Sequence, residues 1–140
     1  MTDPWFEQIR SLLEAPAPAV LATYRKDGSA FVSPVWFRWR DDGFEVVIAE
    51  GDVKLRHLAA NPECILVVFE TVPPFRGVEV RGSAELIEGD VTSAGREIAG
   101  RYLGEEAGAR YTAERTKPGV LLRLEAREPR VWDLTPILPS

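Results

Sequence analysis

The segment FVSPVWFRW, residues 31–39, constrains the fold of this chain more than any other. A strand that covers a core on one side alternates apolar and polar residues. Here Phe31, Val35, Phe37 and Trp39 point one way, while Val32, Pro34 and Trp36 point the other. Ser33 and Arg38 alone interrupt the apolar run, and Pro34 lacks a backbone donor. Both faces of this strand must therefore be covered, by a helix, a subunit partner or a flat ligand.

The surrounding pattern is mainly β. AVLATYR reads as a strand, KDGS as a hairpin turn with Asp27-Gly28 at its tip, and DDG (41–43) as a second turn leading into the strand FEVVIAE. CILVVFE is a continuous apolar run, as in a strand buried on both faces. VEVRGSAELIE alternates Val78, Val80, Ala84 and Leu86 against Glu79, Arg81, Ser83 and Glu85, so one face is wet. GVLLRLEAREPRVWDL supplies one or two last strands. A first helix, with Thr2 or Asp3 as cap and Pro4 in its first turn, repeats Phe6, Ile9, Leu12 and Leu13 at helical spacing. A short helix follows GD at 51–52, with Leu55, Leu58 and Ala59 inward, and Asn61-Pro62 stops it. The region 90–115 is helical, with glycines at 95, 100, 104 and 108 that predict a broken or mobile element. These elements predict one domain over residues 1–140, an antiparallel barrel of six or seven strands with peripheral helices.

Composition excludes several functions. The net charge of −5 is opposed to nucleic-acid binding, which needs clustered cations. No apolar run approaches the roughly 20 residues that span a bilayer, and the acidic start MTDPWFEQIRSLLE does not resemble a secretory leader; a cytoplasmic protein is expected. Cys64 is the single cysteine and lies in an apolar run, so a buried thiol is expected. His57 is the single histidine. Nucleophilic triads and histidine or cysteine metal sites are starved of ligands, and no metal is expected. Neither a GxGxxG nor a Walker loop occurs. Any reaction must rest on a bound cofactor.

VLATYRKDGSAFVSPVWFRW, GDVKLRHLAANP and PPFRGVEVRGSAEL, in that order and with those gaps, resemble the split β-barrel family of pyridoxamine-5'-phosphate-oxidase-like flavoproteins. The resemblance is closest to the small flavin- and deazaflavin-dependent oxidoreductases of that family and covers about residues 18–88. It implies a split β-barrel, a homodimer with cofactor sites at the subunit interface, and FMN or the deazaflavin F-420 as cofactor. It implies hydride transfer to or from a small organic substrate, with a non-enzymatic flavin-binding or sequestering protein as the alternative. A barrel holding a flat tetrapyrrole with His57 as axial ligand is a third reading.

On this resemblance the ring lies against Ser33, Pro34, Val35 and Trp36, where Pro34 ends regular pairing and leaves backbone groups free. The phosphate reaches the start of the 51–61 helix, whose free N–H groups attract anions. Lys54 is the expected phosphate ligand. Arg56, on the opposite flank, is expected on a more distant part of the cofactor or on a protein carboxylate, and Arg76, after Pro73-Pro74, in a loop that closes over the ligand. Two features depart from the family. Asp52 stands where a basic or hydroxyl residue is common, so a good helix cap opposes the anion. The ending VWDLTPILPS lacks the arginine- and histidine-bearing segment that grips substrate in true pyridoxamine-phosphate oxidases, so that activity is not expected. Tyr24, Tyr102 and Tyr111 are the candidate proton donors.

Overall fold

A computed structural model describes residues 4–115 and 117–139. The expected caps Thr2 and Asp3 lie outside the described residues. Helix α1 (Pro4–Glu14) is followed by β1 (Ala19–Tyr24), β2 (Ala30–Val35), β3 (Arg38–Arg40) and β4 (Gly43–Ala49). Helix α2 (Val53–Ala60) leads to β5 (Glu63–Phe69), β6 (Gly77–Ser83) and β7 (Glu85–Ile87). The helices α3 (Thr92–Leu103) and α4 (Glu105–Ala113) precede β8 (Gly119–Glu125) and β9 (Arg130–Trp132).

The strands form two antiparallel sheets, β2-β1-β5-β6-β9 and β3-β4-β8-β7. This is the split barrel, with nine strands among the described residues rather than six or seven because two expected strands change sheet part-way. Residues 31–39 pair with β1 up to Val35 and with β4 from Arg38 onward, so Trp36-Phe37 carries the chain from one sheet to the other. VEVRGSAELIE divides at Ala84, whose N–H donates to the Pro62 carbonyl. Pro34 itself stays in register opposite Val20. It is tolerated because β2 is an edge strand, and the pairing ends at Val35, one residue beyond the proline. The Asp41-Asp42 turn joins β3 to β4 with both residues at positive φ (50° and 59°), as a two-residue hairpin of matching twist requires.

The core lies between the sheets. Leu21, Leu66, Val68, Val78 and Val80 meet Phe37, Phe44, Val46, Leu122 and Leu124, and α1 closes one end with Ile9, Leu12 and Leu13. The outer face of the second sheet is covered by the α3–α4 hairpin. Arg38 and Glu45 are buried there as a pair (2.7 Å), which Arg123 extends at 3.2 Å and the half-exposed Glu97 of α3 caps. The apolar second face of residues 36–39 is thus answered by helices. The corresponding face of β2 is not: Val32 remains 59% exposed.

The glycines of the helical region have two roles. Gly104, at φ +93°, breaks the region into α3 and α4 as expected. Gly108 and Gly100, by contrast, are the surfaces on which the two helices touch, since a Cβ on Gly108 would stand 2.5 Å from the Gly100 nitrogen.

Candidate functional site

A cavity of about 280 Å³ opens where β2 leaves the first sheet. One wall is Pro34, Val35 and Trp36, and a second is the end of β4 from Val46 to Ala49. The third is helical, with Ile98 and Ala99 of α3 and Tyr111 of α4. Its polar end holds Asp52, Lys54 and Arg115. Four of the seven expected cofactor residues, Pro34, Val35, Trp36 and Lys54, are therefore brought together. Ser33 is adjacent in β2, and its buried Oγ has no hydrogen-bond partner.

Arg56 and Arg76 are not brought to this cavity. Helix α2 rotates so that Leu58 is buried and His57 faces β1, where its Nδ1 lies 2.9 Å from the Oγ1 of the fully buried Thr23. Arg56, two residues and about 200° away from Leu58, is exposed, and so is Ala59, which was expected inward. Arg76 grips Glu70 through Nε (2.7 Å) and Nη2 (3.2 Å) and reaches the Gln8 carbonyl. It holds its loop to α1 instead of standing ready for a ligand. The hydrogen bonds from Arg76 keep the Glu70 carboxyl below its usual range, against a smaller opposing effect of burial.

Asp52 caps α2, accepting the Lys54 N–H at 2.9 Å, and its second oxygen holds the Lys54 ammonium at 3.0 Å. Burial works against its ionisation, but the Lys54 N–H and ammonium, with His57, together hold the carboxyl below its usual value. The expected repulsion is thus met inside the protein: Asp52 neutralises Lys54.

Trp36 stacks on Tyr102 with ring centres 5.2 Å apart and planes 11° apart, and meets Tyr111 at 5.4 Å. The Tyr102 hydroxyl donates to the Ala17 carbonyl (2.8 Å) and accepts the Phe37 N–H (3.4 Å), while burial pushes its phenol upward. Tyr102 is committed to structure. Tyr111 is the tyrosine among the three candidates that lines the cavity. His57 is absent from the lining, and among the described residues no group of three histidine, cysteine or acidic side chains is placed to hold a metal.

Arg115 and the α3 wall did not emerge from the sequence. Their signal was faint: a cationic RTKP segment between a helix and a strand reads as a solvated loop. What gives it meaning is register, because Ala49 pairs with Gly119 and sets Arg115, Lys117 and Pro118 beside the start of α2.

An apolar slot between sheet and helices with a polar end suits a flat ring bearing a polar extension. Residues 6–133 match the family model described as pyridoxamine 5'-phosphate oxidase. The chain belongs to this family. A curated relative, the pyridoxine/pyridoxamine 5'-phosphate oxidase of Anaplasma phagocytophilum, is 30% identical over 93 residues, covering 64% of this chain and 45% of the relative. The chain thus spans less than half the length of that enzyme. A conserved hypothetical protein from Mycobacterium tuberculosis superposes with a TM-score of 0.75 at 21% identity, over 100% of this chain and 91% of the other. An F-420 reductase is similar with a TM-score of 0.64 at 26% identity, over 93% and 98%. A heme storage protein from Vibrio cholerae follows with 0.67 at 18%, over 91% and 92%. The split barrel is thus shared by an F-420 reductase and a heme storage protein. Among the described residues no helix is long and apolar enough to cross a membrane.

Proposed function

We propose that the protein is an FMN- or F-420-dependent oxidoreductase acting on a small organic substrate, working as a homodimer. The observation that carries this reading is the cavity in which Pro34, Val35 and Trp36 face the end of β4 while cations stand at one end. Bound there, a flavin or deazaflavin supplies hydride transfer. The chain's own work is positioning. The rim of β2 and the residues of β4 fix the plane of the ring, and the α3 wall excludes water from one side. Ser33, with an unpartnered buried Oγ, is a polar group next to that plane. Tyr111, half-exposed at the mouth, has the one phenol of the cavity wall and is the proton donor of this reading.

Two features support a dimer. A cavity of about 280 Å³ is at the small end for a cofactor of this size, so a further wall from outside the protomer would complete it. The uncovered face of β2, with Val32 and Pro34, borders that opening. A tetrapyrrole with His57 as axial ligand is disfavoured, because that imidazole is bound to Thr23 and packs against Phe31 away from the cavity.

Titration of the purified protein with FMN, F-420 and hemin, followed by absorbance, tests the proposal. Micromolar binding of FMN or F-420, with turnover on a quinone or enone panel, is expected. Binding without turnover would establish the sequestering alternative, and absence of binding to either would refute the reading. A light-scattering mass near 15.6 kDa would refute the dimer.

A further inference from the structure

Two cations, Lys54 and Arg115, line the polar end of the cavity and a third, Lys117, lines the neighbouring hollow, and they are not equivalent. Lys54 is held by Asp52 at 3.0 Å, so together they present no net charge. Arg115 is half-buried, and among the described residues no carboxylate pairs with it. Lys117 extends back across the loop until its Nζ lies 3.9 Å from where a Cβ on Gly51 would stand, next to the start of α2. The Glu50 N–H donates to the Pro118 carbonyl at 2.8 Å and fastens the two loops together.

The surroundings of Arg115 are shaped for its guanidinium. It lies between the main cavity and a neighbouring hollow of about 340 Å³ lined by Gly89, Thr92 and Lys117, and it borders both. Nη1 is 3.6 Å from the position of a Cβ on Gly95 and Nη2 is 3.2 Å from that of a Cβ on Gly119. A side chain at Gly119 would crowd it. The one acid of the second hollow, Asp90, accepts the Thr92 N–H at 3.0 Å and serves the start of α3. A partly desolvated guanidinium that borders an apolar slot and forms no ion pair among the described residues is well placed to bind an anion.

We infer that Arg115, assisted by Lys117, and not Lys54, binds the anionic group of the molecule that fills the cavity. The ligand is then a planar compound with a phosphate or carboxylate projecting toward the loop before β8. This inference rests on the proposed function for the ring, but not for the anion contact. The phosphate of the cofactor and a carboxylate of the substrate share this chemistry, and experiment separates them.

Affinities for FMN and for riboflavin, which lacks the phosphate, are measured by calorimetry for the wild type, Arg115→Gln and the double variant Asp52→Asn/Lys54→Met. The double variant removes the Lys54 pair without leaving Asp52 uncompensated. If Arg115 holds the cofactor's phosphate, Arg115→Gln weakens FMN at least tenfold and leaves riboflavin unchanged, while the double variant stays within threefold of wild type. If it holds a substrate carboxylate, FMN affinity is unchanged in Arg115→Gln but benzoate binds at least tenfold more weakly, and benzyl alcohol does not. Benzoate is also titrated into protein without flavin, so the Arg115 contact is tested even if no flavin binds and the proposed function falls. Arg115→Gln that leaves both FMN and benzoate unchanged overturns the inference, as does a loss shown by the double variant and not by Arg115→Gln. Arg115→Lys, which keeps the charge, should recover part of any loss; circular dichroism confirms that each variant is folded.

Discussion

Replacing Gly108 by alanine tests how the helical wall of the cavity is built. Helices α3 and α4 meet backbone to backbone at this point. A Cβ on Gly108 would lie 2.5 Å from the nitrogen and 2.6 Å from the Cα of Gly100, and 2.9 Å from the Ala99 carbonyl carbon. The nearest of these is about 0.9 Å short of ordinary contact, and all three atoms are backbone, so no side chain can swing aside. Overpacking of this kind costs about 1–3 kcal/mol, and a contact with backbone belongs at the upper end. Alanine regains about 1 kcal/mol as the better helix former. The expected net loss is about 1–2 kcal/mol. For a chain of this length that lowers Tm by about 3–8 °C.

Gly95→Ala is the control within the same hairpin. Its new Cβ would make ordinary contact, 3.6 Å from Nη1 of Arg115, so propensity alone acts and stability rises by up to about 1 kcal/mol. Thermal melts at 222 nm and urea midpoints of the three proteins give the comparison. Opposite signs are expected. If Gly108→Ala matches or exceeds the wild type, the glycines serve flexibility and the close-packed hairpin is wrong. Because Ile98 and Ala99 line the cavity from one helix and Tyr111 from the other, Gly108→Ala should also weaken whatever ligand the slot accepts.

Glu45→Ala leaves Arg38, 8% exposed at its side chain, with only the half-exposed Glu97; removing one partner of a buried pair predicts a loss of about 3 kcal/mol in urea unfolding, and a loss below 1 kcal/mol would show that Glu97 suffices. Glu70, depressed chiefly by its hydrogen bonds from Arg76, contributes stability that is complete above the ordinary glutamate value of about 4.3 and is lost as pH falls through the lower folded-state value. Glu70→Gln should therefore lower Tm at pH 7 and flatten the acid limb below about pH 4.3, with part of the slope persisting through Asp52; an unchanged limb would refute the assignment. Cys64 is 2% exposed and burial pushes its thiol up to about 12, so native protein should resist a disulfide reagent at pH 8 and react fully in guanidinium. Reaction of the native protein at the rate of a free thiol would contradict its burial.

The turns Asp27-Gly28 and Asp41-Asp42 and the alternating strands were readable because each depends on residues adjacent in the chain. The sheet changes were not. Phe37 and Trp39 continue the parity of Phe31 and Val35 across the break at Trp36-Phe37, and Ala84 and Leu86 continue that of Val78 and Val80. A strand that exchanges hydrogen-bond partners without rotating leaves no mark in its own alternation. The same difference divides the candidate site. Pro34, Val35, Trp36 and Lys54 were named from the family resemblance, with local signals that agree with it, a proline in an apolar run and a cation at a helix start. Arg115 belongs with them because β8 pairs with β4 so that Gly119 faces Ala49, a fact of register that no local pattern contains. Asp52 shows why this matters for charge. Taken in isolation it opposes an anion, yet in the fold it consumes Lys54 and caps α2. The Asp52–Lys54 pair carries no net charge, so on the proposed reading the cation that attracts an anion to this end of the cavity comes from the loop that register brings beside it.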